Sequence, residues 1–311
     1  MKTIYKLAVI ISVFFATEKL YAQEMVVPAI TDYYQQELYI NPAVTGSQDY
    51  ISSTLSLKKQ WLEIEGSPGV QRLQLHSPFF NNKMGIGLLF QHESYGVTNN
   101  FNFGLSYAYH IKLEKGTLSL GLNGNLVTFQ ERYADAEIIG RDPNFMSNGK
   151  MLWGFNAGVG AYYSTDKFYA GLSLPAMFDN SLKHADYKRM NKLDFEQAPV
   201  YLTGGYVFNM QEDIKCRLKP HVLVGYSKEY KWVYNAGVTA FFYDKCWIGV
   251  NMKYRNQAGG TLGVKLFDIL NLSYAFTTGY DMPYTYKGLS HEINLNVTIG
   301  KKNSNNKMQY F

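Results

Sequence analysis

Basic side chains recur at alternate positions in one stretch of this 311-residue sequence and return in two later stretches. A row of cations with regular spacing attracts anions, so it can hold an acidic peptide or plug, or select anions in a pore. It can also be a solvated polar wall whose charge is balanced by Asp and Glu from loops or from the N-terminal segment. The residues of this basic strip are Lys215, Arg217, Lys219, His221, Lys253, Arg255 and Lys265.

Residues that could carry out catalysis do not group into a recognisable pattern. The sequence has no H-E-x-x-H, G-x-S-x-G, G-x-x-x-x-G-K or C-x-x-C motif, the spacings that assemble metal ligands, nucleophiles or phosphate-binding backbone. The six histidines are scattered, and no two have metal-ligand spacing on one strand face. We therefore expect no catalytic, cofactor-binding or metal site, and a protein that is not an enzyme.

The basic strip lies in segments that alternate between apolar and polar residues, the period of a β-strand. Alternation is strict in 213–226 and recurs in 51–61, 84–90, 101–113 and onward to the end of the chain. About fourteen such segments occur, several near ten residues or longer. Soluble strands average about five or six residues, whereas tilted transmembrane strands need about 9 to 11.

These lengths predict an all-β fold: a transmembrane antiparallel β-barrel of about fourteen strands, of the outer-membrane type. Its apolar faces would contact lipid and its charged faces would line the lumen. The alternative is a soluble β protein that buries its apolar faces between stacked sheets.

The connections between the segments alternate in length, which supports the barrel. Tight connections include 114–116, 164–167, 211–213 and 243–245, while 76–82 is longer than this side of a barrel usually has. The longest connections, 130–150, 177–199 and 281–289, fall on the other side. Outer-membrane barrels have short turns in the periplasm and long loops outside, so both termini are predicted to be periplasmic.

The ends of the chain fall outside the alternating pattern. Residues 1–22 have two lysines, an apolar run and a small residue at the cleavage position, as in a secretory signal peptide. Residues 23–49 are predicted to form a periplasmic extension or a plug in the lumen, residues 50–300 the barrel, and residues 301–311 a polar C-terminal tail.

Composition excludes several classes of protein. The net charge is only +5 and the aromatic residues follow strand spacing, so a nucleic-acid partner is not expected. Two cysteines are too few for a disulfide scaffold. Cys216 and Cys246 fall on strands separated by one further strand, roughly 9 to 10 Å apart, which is too far for them to pair.

Short motifs spread over most of the mature chain resemble the PorP/SprF family of type IX secretion system membrane proteins of Bacteroidetes. They are "INPAVTGS" at 40–47, "KKQW" at 58–61, "KPHVLVGY" at 219–226, the stretch 234–255 and "GLSHEINL" at 288–295. The motif residues are Asn41, Pro42, Gly46, Gln60, Trp61, Pro220, Asn235, Trp247, Gly249, Tyr254, Arg255, Gly288, Ser290, His291 and Glu292.

The resemblance implies a non-enzymatic accessory role in the export or surface attachment of large adhesins, including those used in gliding motility. The implied partners are outer-membrane lipid, the C-terminal domain of a secreted adhesin cargo, and periplasmic type IX secretion or peptidoglycan-associated proteins. The alternative function is an outer-membrane diffusion channel or a transporter of hydrophobic substrates. An open lumen would favour this alternative, whereas an occluded lumen would favour the accessory role.

Overall fold

The structure is a computed structural model, and it describes residues 33–62, 64–133, 148–179, 192–195, 197–211, 213–228, 231–253, 257–267, 269–278 and 288–300. Most of them form strands. The strands are β1 (Ile51–Gln60), β2 (Gly69–Phe79), β3 (Met84–Tyr95), β4 (Thr98–Leu113), β5 (Gly116–Glu131), β6 (Leu152–Ser164), β7 (Phe168–Leu174), β8 (Phe178–Asp179), β9 (Lys192–Leu193), β10 (Val200–Tyr206), β11 (Phe208–Gln211), β12 (Cys216–Ser227), β13 (Lys231–Phe242), β14 (Cys246–Lys253), β15 (Gln257–Leu266), β16 (Leu270–Thr278) and β17 (Leu289–Ile299).

All strands except the short β8–β9 hairpin belong to one antiparallel sheet that closes on itself. Sequential neighbours pair along the sheet, β1 pairs with β17, and both β10 and β11 pair with β12. Since β10 and β11 continue one another, the described part of the chain forms a closed barrel of fourteen strands, which confirms the predicted fold class. Closure removes the exposed edges that an open sheet of this size would present.

The interruption between β10 and β11 has a local cause in Pro220. The register pairs Gly205 with His221 and Phe208 with Leu218, so Pro220 stands opposite Tyr206, next to the gap at Val207. Proline has no backbone N–H to donate to a ladder. On the other side of this strand, Val207 donates its N–H to the carbonyl of Lys167, at 2.7 Å, which joins this part of the wall to the turn before β7.

The two faces of the wall are inverted relative to a soluble protein. In β1, Ser52, Thr54 and Ser56 are buried, while Leu55 and Leu57 are 39% and 45% exposed. The same alternation of buried polar and exposed apolar residues occurs in the other long strands. Because water would penalise so much exposed apolar surface, the outer face must contact lipid, as the alternation predicts.

The two ends of the barrel differ. At the end where β1 begins and β17 ends, the connections between strands have two to four residues; we call this the tight-turn end. The opposite end has connections of up to 20 and 25 residues, 132–151 and 175–199, together with short ones such as 96–97 and 254–256. The predicted long turn at 76–82 is wrong, because β2 extends to Phe79 and leaves only four residues.

A short, mostly helical segment precedes β1. It consists of a 3₁₀ turn at Tyr33–Gln35, the four-residue helix α1 at Glu37–Ile40, and a second 3₁₀ turn at Pro42–Val44. Asn41 begins the second turn by accepting a hydrogen bond on its side chain from the N–H of Ala43. Among the described residues, no helix has both the length and the apolar character needed to cross a bilayer.

Candidate functional site: the plugged lumen

Residues 33–46 lie inside the barrel, and we call them the plug segment. Tyr33, Gln36, Ile40 and Ala43 are each no more than 1% exposed. Their neighbours come from strands all around the wall: Tyr201, Leu223 and Val233 pack around Tyr33 and Ile40, and Tyr162 and Tyr169 pack around Ala43 and Val44. The inner wall and the plug segment therefore bury one another.

On the side formed by β3 to β7, the plug segment rests on wall glycines. A Cβ atom placed on Gly85, Gly121 or Gly160 would lie 2.0 to 2.2 Å from Thr45 O, Ala43 N or Asn41 Oδ1, respectively. Such distances are far inside van der Waals contact, so only glycine permits this close approach of the plug segment to the wall backbone. We call these three residues the glycine seat.

Polar contacts hold the NPAVTG motif on the glycine seat. The Asn41 side chain donates to the carbonyl of Ala161 at 3.0 Å, and Thr45 Oγ1 lies 2.9 Å from Ser106 Oγ. The N–H of Gly46 donates to His76 Nδ1 at 3.1 Å. Gly46 also has φ +65, and a Cβ there would lie 2.5 Å from the Cα of Gly85. Two independent constraints thus require glycine at position 46.

On the opposite side of the wall, side chains contact the plug segment. Gln36 Nε2 lies within hydrogen-bond distance of Ser56 Oγ, Glu292 Oε1 and Asn294 Oδ1. Arg72 donates to Gln36 Oε1 at 3.2 Å. Since Gln36 and Glu292 are completely buried, this amide provides partners for polar groups that water cannot reach.

The basic strip is divided among several environments rather than forming one open surface. Lys219 is fully buried, with its Nζ atom 5.1 Å from the centre of the Tyr169 ring, and its charge acts on Glu37 of the plug segment. His221 packs edge-on against Tyr33, with ring centres 5.2 Å apart. These two members of the strip contact the plug segment or act on it directly.

The remaining members lie elsewhere. Arg217 forms a salt bridge with Asp244, and Lys253 and Lys265 are half-buried on the inner face. The prediction that Lys215 lies on the wall is wrong: its φ of 45° puts it in the turn before β12, 3.5 Å from Asp244. Basic and apolar residues happen to alternate through that turn as they do in the strand. Arg255 lies outside the described residues.

Glu37 lies on the plug segment, outside the membrane-spanning strands, and is 5% exposed. Burial raises the pKa of its carboxyl to about 7, while the charge of Lys219 and a hydrogen bond with Tyr169 oppose the rise. Its Oε1 atom has no hydrogen-bond partner among the described residues. The charge of Lys219 thus stabilises the ionised form of the Glu37 carboxyl, which burial removes from solvent.

Several family-motif residues meet where the first and last strands pair, which we call the closing seam. Gln60 stands opposite Ser290, and the positions before it face His291 and Glu292. Trp61 covers Gly288, where a Cβ would lie 2.4 Å from Trp61 Cδ1. The motifs at 58–61 and 288–295 are therefore one structural unit.

Of the motif residues in the C-terminal third, Pro220 lies on β12, Asn235 on β13, and Trp247 and Gly249 on β14. Asn235 is 6% exposed, and Gly249 lies between the side chains of Thr239 and Thr261. Trp247 covers Gly263, where a Cβ would lie 2.1 Å from the indole ring. Tyr254 lies outside the described residues, as does Arg255.

Sequence reasoning missed the residues that fix the plug segment: Gln36, Arg72, Tyr169 and the glycine seat. The glycine seat could have been anticipated from the sequence, since glycine takes alternate, inward positions in 84–88 and 154–160. Within the described residues, no group of three or more His, Cys, Asp or Glu side chains could hold a metal ion. Cys216 and Cys246 are free thiols, one half-buried and one exposed.

A closed fourteen-strand barrel with an apolar outer face and a polar, plugged interior is an outer-membrane β-barrel protein. A solved structure agrees on this fold: the outer membrane protein Omp33 of Acinetobacter baumannii is 8% identical, with a TM-score of 0.52 over 82% of this chain and all of that chain. A mutant of the monoaromatic hydrocarbon channel TodX is 10% identical, with a TM-score of 0.48 over 84% of this chain and 93% of that one.

The family model for "Type IX secretion system membrane protein PorP/SprF" matches residues 22–297. The chain belongs to the PorP/SprF family, which confirms the resemblance carried by its motifs, and it is a protein of the bacterial outer membrane. The comparison with curated proteins gave no match.

Proposed function

We propose that this barrel is a non-enzymatic accessory component of type IX secretion that supports export or surface attachment of a specific adhesin-type cargo. Family membership supports the secretion system. In this proposal the connections 132–151 and 175–199 grip the C-terminal domain of the cargo outside the cell. The tight-turn end docks periplasmic secretion or peptidoglycan-associated proteins.

The plug segment favours this function over the alternative, a diffusion channel or transporter of hydrophobic substrates. Tyr33 to Gly46 cross the lumen and bond to both sides of the wall, through Asn41 and Thr45 on one side and Gln36 on the other. A barrel filled in this way suits a protein that presents surfaces to partners better than one that passes solutes.

The proposal is tested by deleting the gene and measuring the surface proteome, with the wild-type gene restored as the control. We expect one adhesin, or a small set, to fall at the cell surface and recover on restoration. Normal surface levels of every adhesin would contradict the proposal.

Conductance tests the alternative. The full chain in planar lipid bilayers is expected to show no steady open current, because the plug segment fills the lumen. A steady current would favour the diffusion channel.

A further inference from the structure

A cavity of about 140 Å³ remains between the plug segment and one side of the wall. Its lining comes from the plug segment, from the first residues of β1 and the last of β2, and from β13 to β17. Tyr50, just before β1, and Asp244, in the turn between β13 and β14, are also part of the lining. The cavity therefore extends to the tight-turn end, which faces the periplasm in outer-membrane barrels.

The cavity walls carry buried hydrogen-bonding atoms that have no partner among the described residues. Among them are two acceptors, Glu37 Oε1 and Gln74 Oε1, and one donor, Trp247 Nε1. Glu37 and Gln74 are 5% and 4% exposed. The Gln74 amide is held in place because its Nε2 atom donates to the carbonyl of Gln35 at 2.6 Å, which leaves its oxygen directed elsewhere.

The chemistry of these walls selects a class of ligand. Two acceptors stand on the side of the plug segment and β2, and one donor stands across the cavity on β14. Apolar groups from Leu38, Phe241 and the Trp247 ring also line the cavity, beside polar side chains that include His76, Lys265 and Asn296. A peptide backbone offers an N–H and a carbonyl at each residue, together with a side chain that can be apolar.

We propose that this periplasmic cavity binds a short, extended peptide segment of a periplasmic partner, with one uncharged apolar side chain inside. The backbone N–H groups of the segment donate to Glu37 and Gln74, and one of its carbonyls accepts from Trp247. This inference rests on the proposed function and deepens it, because it assigns periplasmic docking to one site. The volume exceeds the roughly 10 to 15 Å³ needed for one water about tenfold, so a residue or two of a chain fits.

The test uses the full chain purified in detergent and two blocked peptides, acetyl-Ser-Gly-Leu-Ser-Gly-amide and the same sequence N-methylated at Leu and the following Ser. Methylation keeps the apolar side chain but removes the N–H groups. We expect the first peptide to bind saturably in calorimetry and the methylated peptide to bind at least about tenfold more weakly, the effect of losing one to two hydrogen bonds. Equal binding of both peptides would overturn the proposal, since it would show apolar filling only.

Two tryptophan variants test whether the peptide binds in the cavity. Trp247→Phe keeps a ring and removes the donor, so we expect affinity to fall about fivefold to tenfold, with the folded barrel still shown by heat-modifiable migration on gels. Trp153→Phe is the matched control, because Trp153 is 57% exposed on the outer end of β6. Equal affinities for the two variants would overturn the assignment of the site.

Further results distinguish a partner-binding cavity from a self-filled one, and peptide binding from the secretion role. Binding that appears only in a variant ending at Gly300 would show that the chain's own last residues fill the cavity, and would overturn the proposal. Failure of the wild-type chain to bind either peptide would overturn the site while leaving the cargo experiment intact. The opposite pair of results, peptide binding with normal surface adhesins, would retain the binding site and reject the secretion role.

Discussion

On the β3–β7 side of the barrel the plug segment rests directly on wall backbone, whereas on the side formed by β12–β17, β1 and β2 side chains reach it. The first side has the glycine seat and no room for a methyl group at Gly121. The second side has buried charges, a glutamine network and the periplasmic cavity. Shape fixes the plug segment on one side, and charge and hydrogen bonding fix it on the other, which leaves space for a ligand there.

The strongest test of the polar side is Lys219→Met. It removes the cation whose charge acts on the buried Glu37, and leaving a buried charge uncompensated costs about 3–5 kcal/mol. We expect a loss of that size in the free energy of unfolding, measured by urea titration of the barrel in lipid vesicles. The double variant Lys219→Met with Glu37→Gln should recover most of it, because no unpaired charge remains. A loss below about 1 kcal/mol would mean that this charge pair does not hold the polar side.

Gly121→Ala tests the glycine side. The new Cβ would lie 2.2 Å from Ala43 N, so the plug segment must shift, at a cost of about 1–3 kcal/mol. We expect faster amide hydrogen exchange in residues 41–46. Gly124→Ala is the matched control on the same strand, since its nearest neighbour would be the Phe155 ring at 3.7 Å. Equal exchange in the two variants would contradict the seat.

Gln36→Ala sharpens the comparison within the polar side. It removes a partner of both Arg72 and Glu292, and leaving such groups unsatisfied costs about 1–3 kcal/mol. The same urea titration measures the effect. Gln35→Ala serves as the control, because the neighbouring Gln35 side chain is only half-buried and donates to Ser273 Oγ at 3.1 Å rather than to a charged group. A larger loss for Gln35→Ala than for Gln36→Ala would contradict the network.

Lys215→Ala should have the smallest effect. The Lys215 side chain is 61% exposed and its bridge to Asp244 lies in a turn, where exposed ion pairs contribute at most about 1 kcal/mol. We expect unfolding close to that of the control Lys115→Ala, another exposed turn lysine. A loss comparable to that of Lys219→Met would show that the whole basic strip acts as one unit.

The barrel could be predicted from the sequence because alternation is a local property. Leu55 and Leu57 face out and Thr54 and Ser56 face in because each strand has a period of two. The same rule wrongly placed Lys215 on a strand, since alternation does not show where a strand begins. Only the positive φ at that residue shows that the turn has not yet ended.

The contacts of the plug segment could not be predicted because they join residues far apart in sequence. Asn41 meets Ala161, and Gln36 meets Glu292, and no local pattern selects these pairs. The family motifs indicated which residues matter without indicating that the motifs at 58–61 and 288–295 form one seam. In the sequence, a buried lysine such as Lys219 resembles any other inward cation, because Glu37, the carboxylate it acts on, lies outside the strands.

The closing seam has a consequence for the order of folding. The plug segment is joined to β1 by only four residues, 47–50, and β1 completes the cylinder by pairing with β17, the last of the described strands. The cylinder therefore cannot close until β17, which is synthesised long after β1, is available to pair with it. The interior that holds the plug segment therefore exists only once the strand next to that segment has met the far end of the sheet.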